Sequence, residues 1–392
     1  MENLYNMLPD QTIAFGPEKC KTLLASLFDS AENVVFFTGR NSADRCGAAS
    51  FVTETAEECG VNLFRWNHIQ PEPDIETVLA MRDFLQKHNA DTVCAAGGGS
   101  VLDAAKAALL LYETNWDIND LFGINRYSSQ NQGRQLRRII AIPTTSGTGS
   151  EATQYSNIVD NQAKVKRLIA ENETVPKYVL FDPEFTFSMP RQVTLATACD
   201  ALAHLIEGLL NTRADNNCGN ANYRAIAGIR EIVKSLPLIL ADQDNEKARQ
   251  SLAAAAALGG SVIRFKSTGL PHLCSFSWFG RIEHGMAVIM LLPEAWKYYL
   301  GNPDVAKRTM ELAPVFPGNT PEEVIGSFRK FTASVGVPPT LSAYPLLTQE
   351  LMMQTARSAG ANKMKLELAP RPVPIEESEK ILSEILLKSY KG

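Results

Sequence analysis

The chain has 392 residues, 45% of them hydrophobic and 21% charged, which excludes a disordered or fibrous protein and, at this length, favours two domains over one. A net charge of -5 offers no concentrated basic surface, so neither nucleic acid nor an acidic membrane is an expected partner. The cysteines (Cys20, Cys46, Cys59, Cys94, Cys199, Cys218 and Cys274) are odd in number and never spaced as CxxC, which reads as reduced thiols.

Met1 to Gln11 lacks the basic flank and apolar core of a signal peptide. No stretch approaches the roughly 18 apolar residues of a membrane span, so a cytoplasmic protein is expected. Between about Ala31 and Phe181, short apolar runs alternate with helical patterns. The runs are Asn33-Val-Val-Phe-Phe-Thr38, Asp91-Thr-Val-Cys-Ala-Ala96, Arg138-Ile-Ile-Ala-Ile-Pro143 and Tyr178-Val-Leu-Phe181. Strands separated by helices predict a parallel sheet in an α/β domain over 1–187. Beyond about Pro190 the pattern changes to long helical periodicity, at Val193 to Leu210, Asn222 to Leu236 and Asn245 to Arg264, which predicts an all-helical domain over 188–392.

The second apolar run leads into Gly97-Gly-Gly-Ser-Val-Leu-Asp-Ala-Ala-Lys106. Glycines between a strand and a helix let a ligand approach the backbone, and free N–H groups at the helix start favour phosphate. The pattern is not GxGxxG, because Leu102 takes the third glycine position, and read alone it is also compatible with a bare tight turn. The third run leads into a second such loop, Pro143-Thr-Thr-Ser-Gly-Thr-Gly-Ser-Glu151. Two polar loops after two strands of one sheet favour a shared cofactor cleft at the strands' carboxyl ends.

Three of the five histidines, His204, His272 and His284, fall in the helical half. Asp200 and His204 are four residues apart, so a helix presents both on one face, among Leu, Ala and Ile. A buried carboxylate and imidazole need a partner, and a divalent cation satisfies both. Taken singly, each histidine reads better as a hydrogen-bonded core residue. Together, three histidines and an aspartate suit iron(II) or zinc with an open position for a substrate oxygen. His68 and His88 lie in polar contexts and receive no role.

Over nearly its whole length the sequence resembles the iron-containing (group III) alcohol dehydrogenases. The shared marks are the Gly97–Lys106 segment, Pro143-Thr-Thr-Ser-Gly-Thr148, Lys166 ten residues before Pro176, Asp200-Ala-Leu-Ala-His204 and His284-Gly-Met-Ala-Val-Ile-Met-Leu-Leu-Pro293. The resemblance implies a dinucleotide-binding α/β domain, a helical metal-binding domain and a cleft between them. It implies that Asp200, His204, His272 and His284 hold the metal and carry catalysis. It also implies that Gly97, Gly98, Gly99, Ser100, Asp103, Thr144, Thr145, Thr148 and Lys166 surround NAD or NADP, and that the protein is a homodimer.

Four departures bear on function. Phe276 stands where relatives often carry a further histidine, and the interval between His272 and His284 is short. Thr38-Gly-Arg-Asn-Ser42 places Gly39, Arg40 and Ser42 beside the cofactor where NAD-preferring relatives have an aspartate, so NADP is permitted. Ala369-Pro-Arg-Pro372 only partly matches an asparagine-proline-arginine pattern.

Substrate recognition is expected to involve Arg264, Lys266 and Phe276. The two cations either bind an anionic tail, as in phosphonoacetaldehyde or sulfoacetaldehyde, or face solvent. The expected reaction is hydride transfer between nicotinamide and a small aldehyde or primary alcohol. A glycerol dehydrogenase-like polyol oxidoreductase is the nearest alternative, and a catalytically silent cofactor-binding protein is the alternative from another class.

Overall fold

The apolar runs at 33–39, 92–97, 138–143 and 178–181 form four neighbouring strands of a six-stranded parallel sheet. The computed structural model describes residues 11–213 and 220–391, so the first ten residues and Cys218, interpreted above for targeting and redox state, lie outside the described residues. Two compact units result, Met1–Pro190 and Arg191–Gly392.

In the first unit the strands are β1 (Thr12–Phe15), β2 (Asn33–Gly39), β3 (Asn62–Ile69), β4 (Thr92–Gly97), β5 (Gly123–Ile124), β6 (Arg138–Pro143), β7 (Tyr155–Asp160), β8 (Val165–Ala170) and β9 (Tyr178–Phe181). Its helices are α1 (Pro17–Phe28), α2 (Ser42–Arg45), α3 (Ala48–Cys59), α4 (Ile75–Lys87), α5 (Gly99–Thr114) and α6 (Ile118–Leu121). The large sheet runs β1-β9-β6-β4-β2-β3, and a small one runs β5-β8-β7, with β7 and β8 antiparallel.

Alternation along β2 explains the layering. Val34 and Phe36 pack with Cys20, Leu24 and Phe28 of α1 and Val52 of α3, whereas Val35 and Phe37 pack with Val78, Met81 and Leu85 of α4 and with α5. Both faces are therefore covered, as an all-parallel sheet requires. The chain leaves β2 toward β3 on one side and returns to β4 on the other. That reversal opens a crevice at the carboxyl ends of β2 and β4, the usual ligand position in open α/β sheets.

The second unit consists of helices among its described residues. They are α7 (Arg191–Leu210), α8 (Ala221–Ala241), α9 (Glu246–Phe265), α10 (Leu270–Ser275), α11 (His284–Tyr299), α12 (Pro303–Met310), α13 (Pro321–Ser334), α14 (Gln349–Gly360), α15 (Lys363–Glu367) and α16 (Ser378–Lys391). By length and composition α7 is apolar enough to cross a membrane, but 83% of its apolar window is buried, against α8, α9 and α11. It is the core helix of this unit, and it carries the acidic residues of the site.

Candidate metal centre and cofactor loops

Positions 200, 204 and 207 of α7 lie along one stripe of a helix whose other neighbours are apolar. Asp200 and His204 are buried and Glu207 is fully so. His272 comes from the short α10, and His284 opens α11. A 3-10 turn at Phe276–Trp278 and a left-handed Gly280 fold the intervening chain back, which is how a short sequence interval returns two histidines to one place.

The geometry is convergent. Asp200 Oδ1 lies 3.7 Å from His204 Nε2, 3.5 Å from His272 Nε2 and 3.7 Å from His284 Nε2. These separations exceed a hydrogen bond. They match the spacing of about 3.4 Å between two ligands of one tetrahedral ion with bonds near 2.1 Å. Asp200 Oδ1 and His272 Nε2 are buried without a hydrogen-bond partner, a state that costs free energy unless a cation fills the gap. Asp200, His204 and His272 also meet as a group of potential ligand atoms all within 4.8 Å of one another. The donor set therefore fits a divalent ion.

The far sides of two imidazoles are tied down. His272 Nδ1 bonds to the Glu207 carboxylate, which also accepts from Gly269 N at 2.8 Å. Ser275 Oγ donates to the His272 carbonyl at 3.0 Å, so its lone pair accepts from His284 Nδ1 at 3.3 Å. Each bond places the ring proton on Nδ1 and leaves the Nε2 lone pair facing the common point. Burial pushes His204 down to about 4, which favours its neutral, ligating form. Burial works to raise the Asp200 carboxyl, but the surrounding histidines hold it below the usual carboxylate range.

Glu207 is the functional residue that sequence reasoning passed over. Its signal was a third polar position, seven residues after Asp200, on an otherwise apolar face. Phe276, in place of a further histidine, stacks on His284 with ring centroids 6.1 Å apart and planes at 11°. Arg264 is half-buried at the end of α9, its guanidinium 5.2 Å from the Phe265 ring centroid. The solvent-facing expectation for Lys266 needs correction. Lys266 is buried, and its ammonium donates to the Asn211 carbonyl at 2.9 Å.

In the first unit the two glycine- and threonine-rich loops leave adjacent strands and interlock. Thr144 N donates to Gly97 O at 3.0 Å. A Cβ on Gly98 would lie 3.0 Å from Thr145 Oγ1, and one on Gly99 would lie 2.7 Å from Thr148. These glycines are therefore required by the neighbouring loop as well as by any ligand. Gly98, with extended backbone, caps α5 without a side chain. The Ser146 hydroxyl is buried without a hydrogen-bond partner, as a ligand-facing group would be.

Gly39 ends β2 and lies beside Ser42, while Gln70, with its amide oxygen turned toward Arg40, accepts from Arg40 Nε at 3.1 Å. Lys166, on β8, pairs with Glu72 at 2.5 Å, and Glu72 N donates to Ser100 Oγ at 3.3 Å. Glu72 holds a left-handed φ of 59°, uncommon for glutamate, and it joins two expected cofactor-binding positions, Ser100 and Lys166.

Asp103 is tied into the second loop. Its carboxylate accepts from Ser150 Oγ at 2.5 Å and Asn157 N at 2.9 Å. Buried Lys106 donates to Ser150 Oγ at 2.7 Å and Tyr155 O at 2.9 Å. Asp103 and Lys106 thus fasten the second loop to α5 from below. Asp103, expected beside the cofactor, is thus anchored on Ser150 and Asn157.

The comparisons with known proteins agree with this geometry. The family model described as iron-containing alcohol dehydrogenase matches residues 10–183, and the model for the C-terminal part of the Fe-containing family matches residues 194–386. The chain belongs to the iron-containing alcohol dehydrogenases. This dehydrogenase is 31% identical over 308 residues, 78% of each chain, to alcohol dehydrogenase 4 of Saccharomyces cerevisiae strain YJM789. It is 28% identical to the NADPH-dependent butanol dehydrogenase of Clostridium saccharobutylicum, over 80% of each chain. The solved alcohol dehydrogenase from Oenococcus oeni shares its fold with a TM-score of 0.87 and 24% identity, covering 97% of this chain and 98% of that one. Family and donor set together make it a metal-dependent, NAD(P)-linked alcohol dehydrogenase.

Proposed function

We propose that this dehydrogenase interconverts a small aldehyde and its primary alcohol, and that the preferred substrate carries an anionic tail of the sulfoacetaldehyde or phosphonoacetaldehyde type. The observation that carries the reaction class is the meeting of Asp200 Oδ1 with three imidazole Nε2 atoms. Asp200, His204, His272 and His284 would hold iron(II) or zinc, Glu207 and Ser275 fixing the rings of His272 and His284. When bound, the ion supplies Lewis acidity toward the substrate oxygen and the nicotinamide gives or takes the hydride. Four convergent donors argue against a silent cofactor-binding protein.

The dinucleotide would lie along the first unit's crevice, with Gly97 to Ser100, Thr144, Thr145, Thr148 and Lys166 near its phosphates and riboses and Gly39 and Ser42 at the adenosine end. NADP is permitted because no carboxylate stands among Gly39 to Ser42 at the end of β2. Family resemblance supports a homodimer, and the scattered, unpaired cysteines support a cytoplasmic setting. The anionic substrate reading draws on Arg264, half-buried in the last turn of the helix that precedes His272, and on Phe276 as an apolar wall beside His284. Relatives bear names of small-alcohol enzymes, among them butanol and 1,3-propanediol dehydrogenases.

The test is chelation followed by anaerobic reconstitution with iron(II) or zinc, assayed with NADH and NADPH on neutral and sulfonated aldehydes. Activity should vanish without metal and return with it. Full turnover by the stripped protein would overturn the proposal.

A further inference from the structure

With Lys266 spent on the Asn211 carbonyl, only Arg264 remains of the two cations first expected at the anionic tail, and a tetrahedral oxyanion is better held by two. We propose that Lys365 is the second cation, binding the sulfonate or phosphonate end of the aldehyde beside the element that carries His272. This rests on the substrate reading above.

Lys365 lies on α15, which packs against α10. The placement is fixed at both ends. The Asn362 side chain caps the helix by accepting from Lys365 N at 3.1 Å. Asn211 Nδ2 reaches both Ser267 O at 3.1 Å and Leu368 O at 3.3 Å, joining the end of α15 to the segment leading into α10.

Lys365 itself is half-buried, and among the described residues its ammonium makes no hydrogen bond or ion pair. The contrast with its neighbour is informative. Lys363, 74% exposed, pairs with Glu367 at 3.8 Å in the ordinary manner of a surface lysine. The acid whose field reaches Lys365 is Glu207, but Glu207 directs its oxygens to Gly269 N and His272 Nδ1. Burial draws the Lys365 ammonium below its ordinary range, with Glu207 opposing.

A half-desolvated ammonium with unused donors is costly to leave open, and the cost is recovered when an anion arrives. Its compact point charge suits a tetrahedral oxyanion, for which no planar fork is needed.

The experiment compares sulfoacetaldehyde with propanal, a neutral aldehyde of similar size, using metal-loaded wild type, Lys365→Met and Lys365→Arg. In Lys365→Met the ratio of kcat/KM for sulfoacetaldehyde to that for propanal should fall about tenfold or more, through KM, with Lys365→Arg retaining most of it. Calorimetry with ethanesulfonate gives a second readout independent of turnover: it should bind wild type and lose affinity for Lys365→Met. If wild type prefers sulfoacetaldehyde and Lys365→Met keeps both that preference and ethanesulfonate binding, the assignment of Lys365 is wrong while the substrate reading stands. A wild type indifferent to the sulfonate overturns both. An equal loss on both aldehydes would mark Lys365 as structural and also refute the assignment.

Discussion

Glu207 and His272 are joined on the side of the imidazole that faces away from Asp200, so one buried carboxylate decides which ring nitrogen is left to bind a metal. Replacing it with glutamine removes the charge and offers an amide N–H that competes for the same nitrogen. Glu207→Gln should weaken metal binding about 10- to 100-fold. Competition with a chelator measures this directly, and nitrogen NMR of His272 should show the proton leaving Nδ1. Unchanged affinity with an unchanged tautomer would show that the carboxylate serves packing alone.

Gly285 sets the distance between α11 and α7. A Cβ there would stand 1.9 Å from the Ala196 carbonyl oxygen and 2.9 Å from the Asp200 Cβ, so no side-chain rotation relieves it. Gly285→Ala must push His284 away from Asp200. It should cost at least the 1–3 kcal/mol usual for overpacking and abolish stoichiometric metal binding. Gly228→Ala is the control: its Cβ would meet the flexible Leu205 side chain at 2.8 Å, so it should lower Tm while metal content stays near wild type.

The strands that sequence reasoning found are those whose central residues are all apolar because both faces are covered. It missed β3, whose Arg65, Asn67 and His68 interrupt the run because the strand lies at an edge of the sheet, and it missed β7 and β8 of the small sheet. Helical periodicity was expected over Asn222 to Leu236, and α8 continues through Pro237 to Ala241. The Asp200–His204 pair was legible because spacing on one helix is a local property. Lys365 was not, since its nearness to α10 depends on packing between segments almost a hundred residues apart. Lys266 misled for the same reason: adjacency in sequence to His272 says nothing about where an ammonium points.

The polar cluster beneath the loops gives a pH signature. Burial raises Glu151 from 4.5 to about 7 and lowers Lys106 from 10.5 to about 8. Between 4.5 and about 7 the folded protein holds a proton on Glu151 that the unfolded chain releases, so this contribution to stability is lost as pH rises. Between about 8 and 10.5 the unfolded chain holds the proton on Lys106, and stability rises with pH. Glu151→Gln, neutral at every pH, should therefore gain in Tm relative to wild type on going from pH 4.5 to 7.5. A constant difference across that range would mean that Glu151 is not desolvated in the folded state.

Coenzyme choice should turn on Gly39. Its backbone is not in the left-handed region, so an aspartate can be accommodated, although its Cβ would sit 3.3 Å from Ser42 Oγ and that hydroxyl must yield slightly. An aspartate there would accept from the ribose diol of NAD and repel the 2′-phosphate of NADP, whereas the present residues place the Arg40 guanidinium, held by Gln70, just after β2. Gly39→Asp should lower the ratio of kcat/KM for NADPH to that for NADH about tenfold or more, a shift of about 1.4 kcal/mol in discrimination. Arg40→Ala should move the ratio in the same direction by loss of attraction alone. If neither substitution changes the ratio while both variants keep wild-type Tm and metal content, the adenosine end of the cofactor is not bound at the carboxyl end of β2.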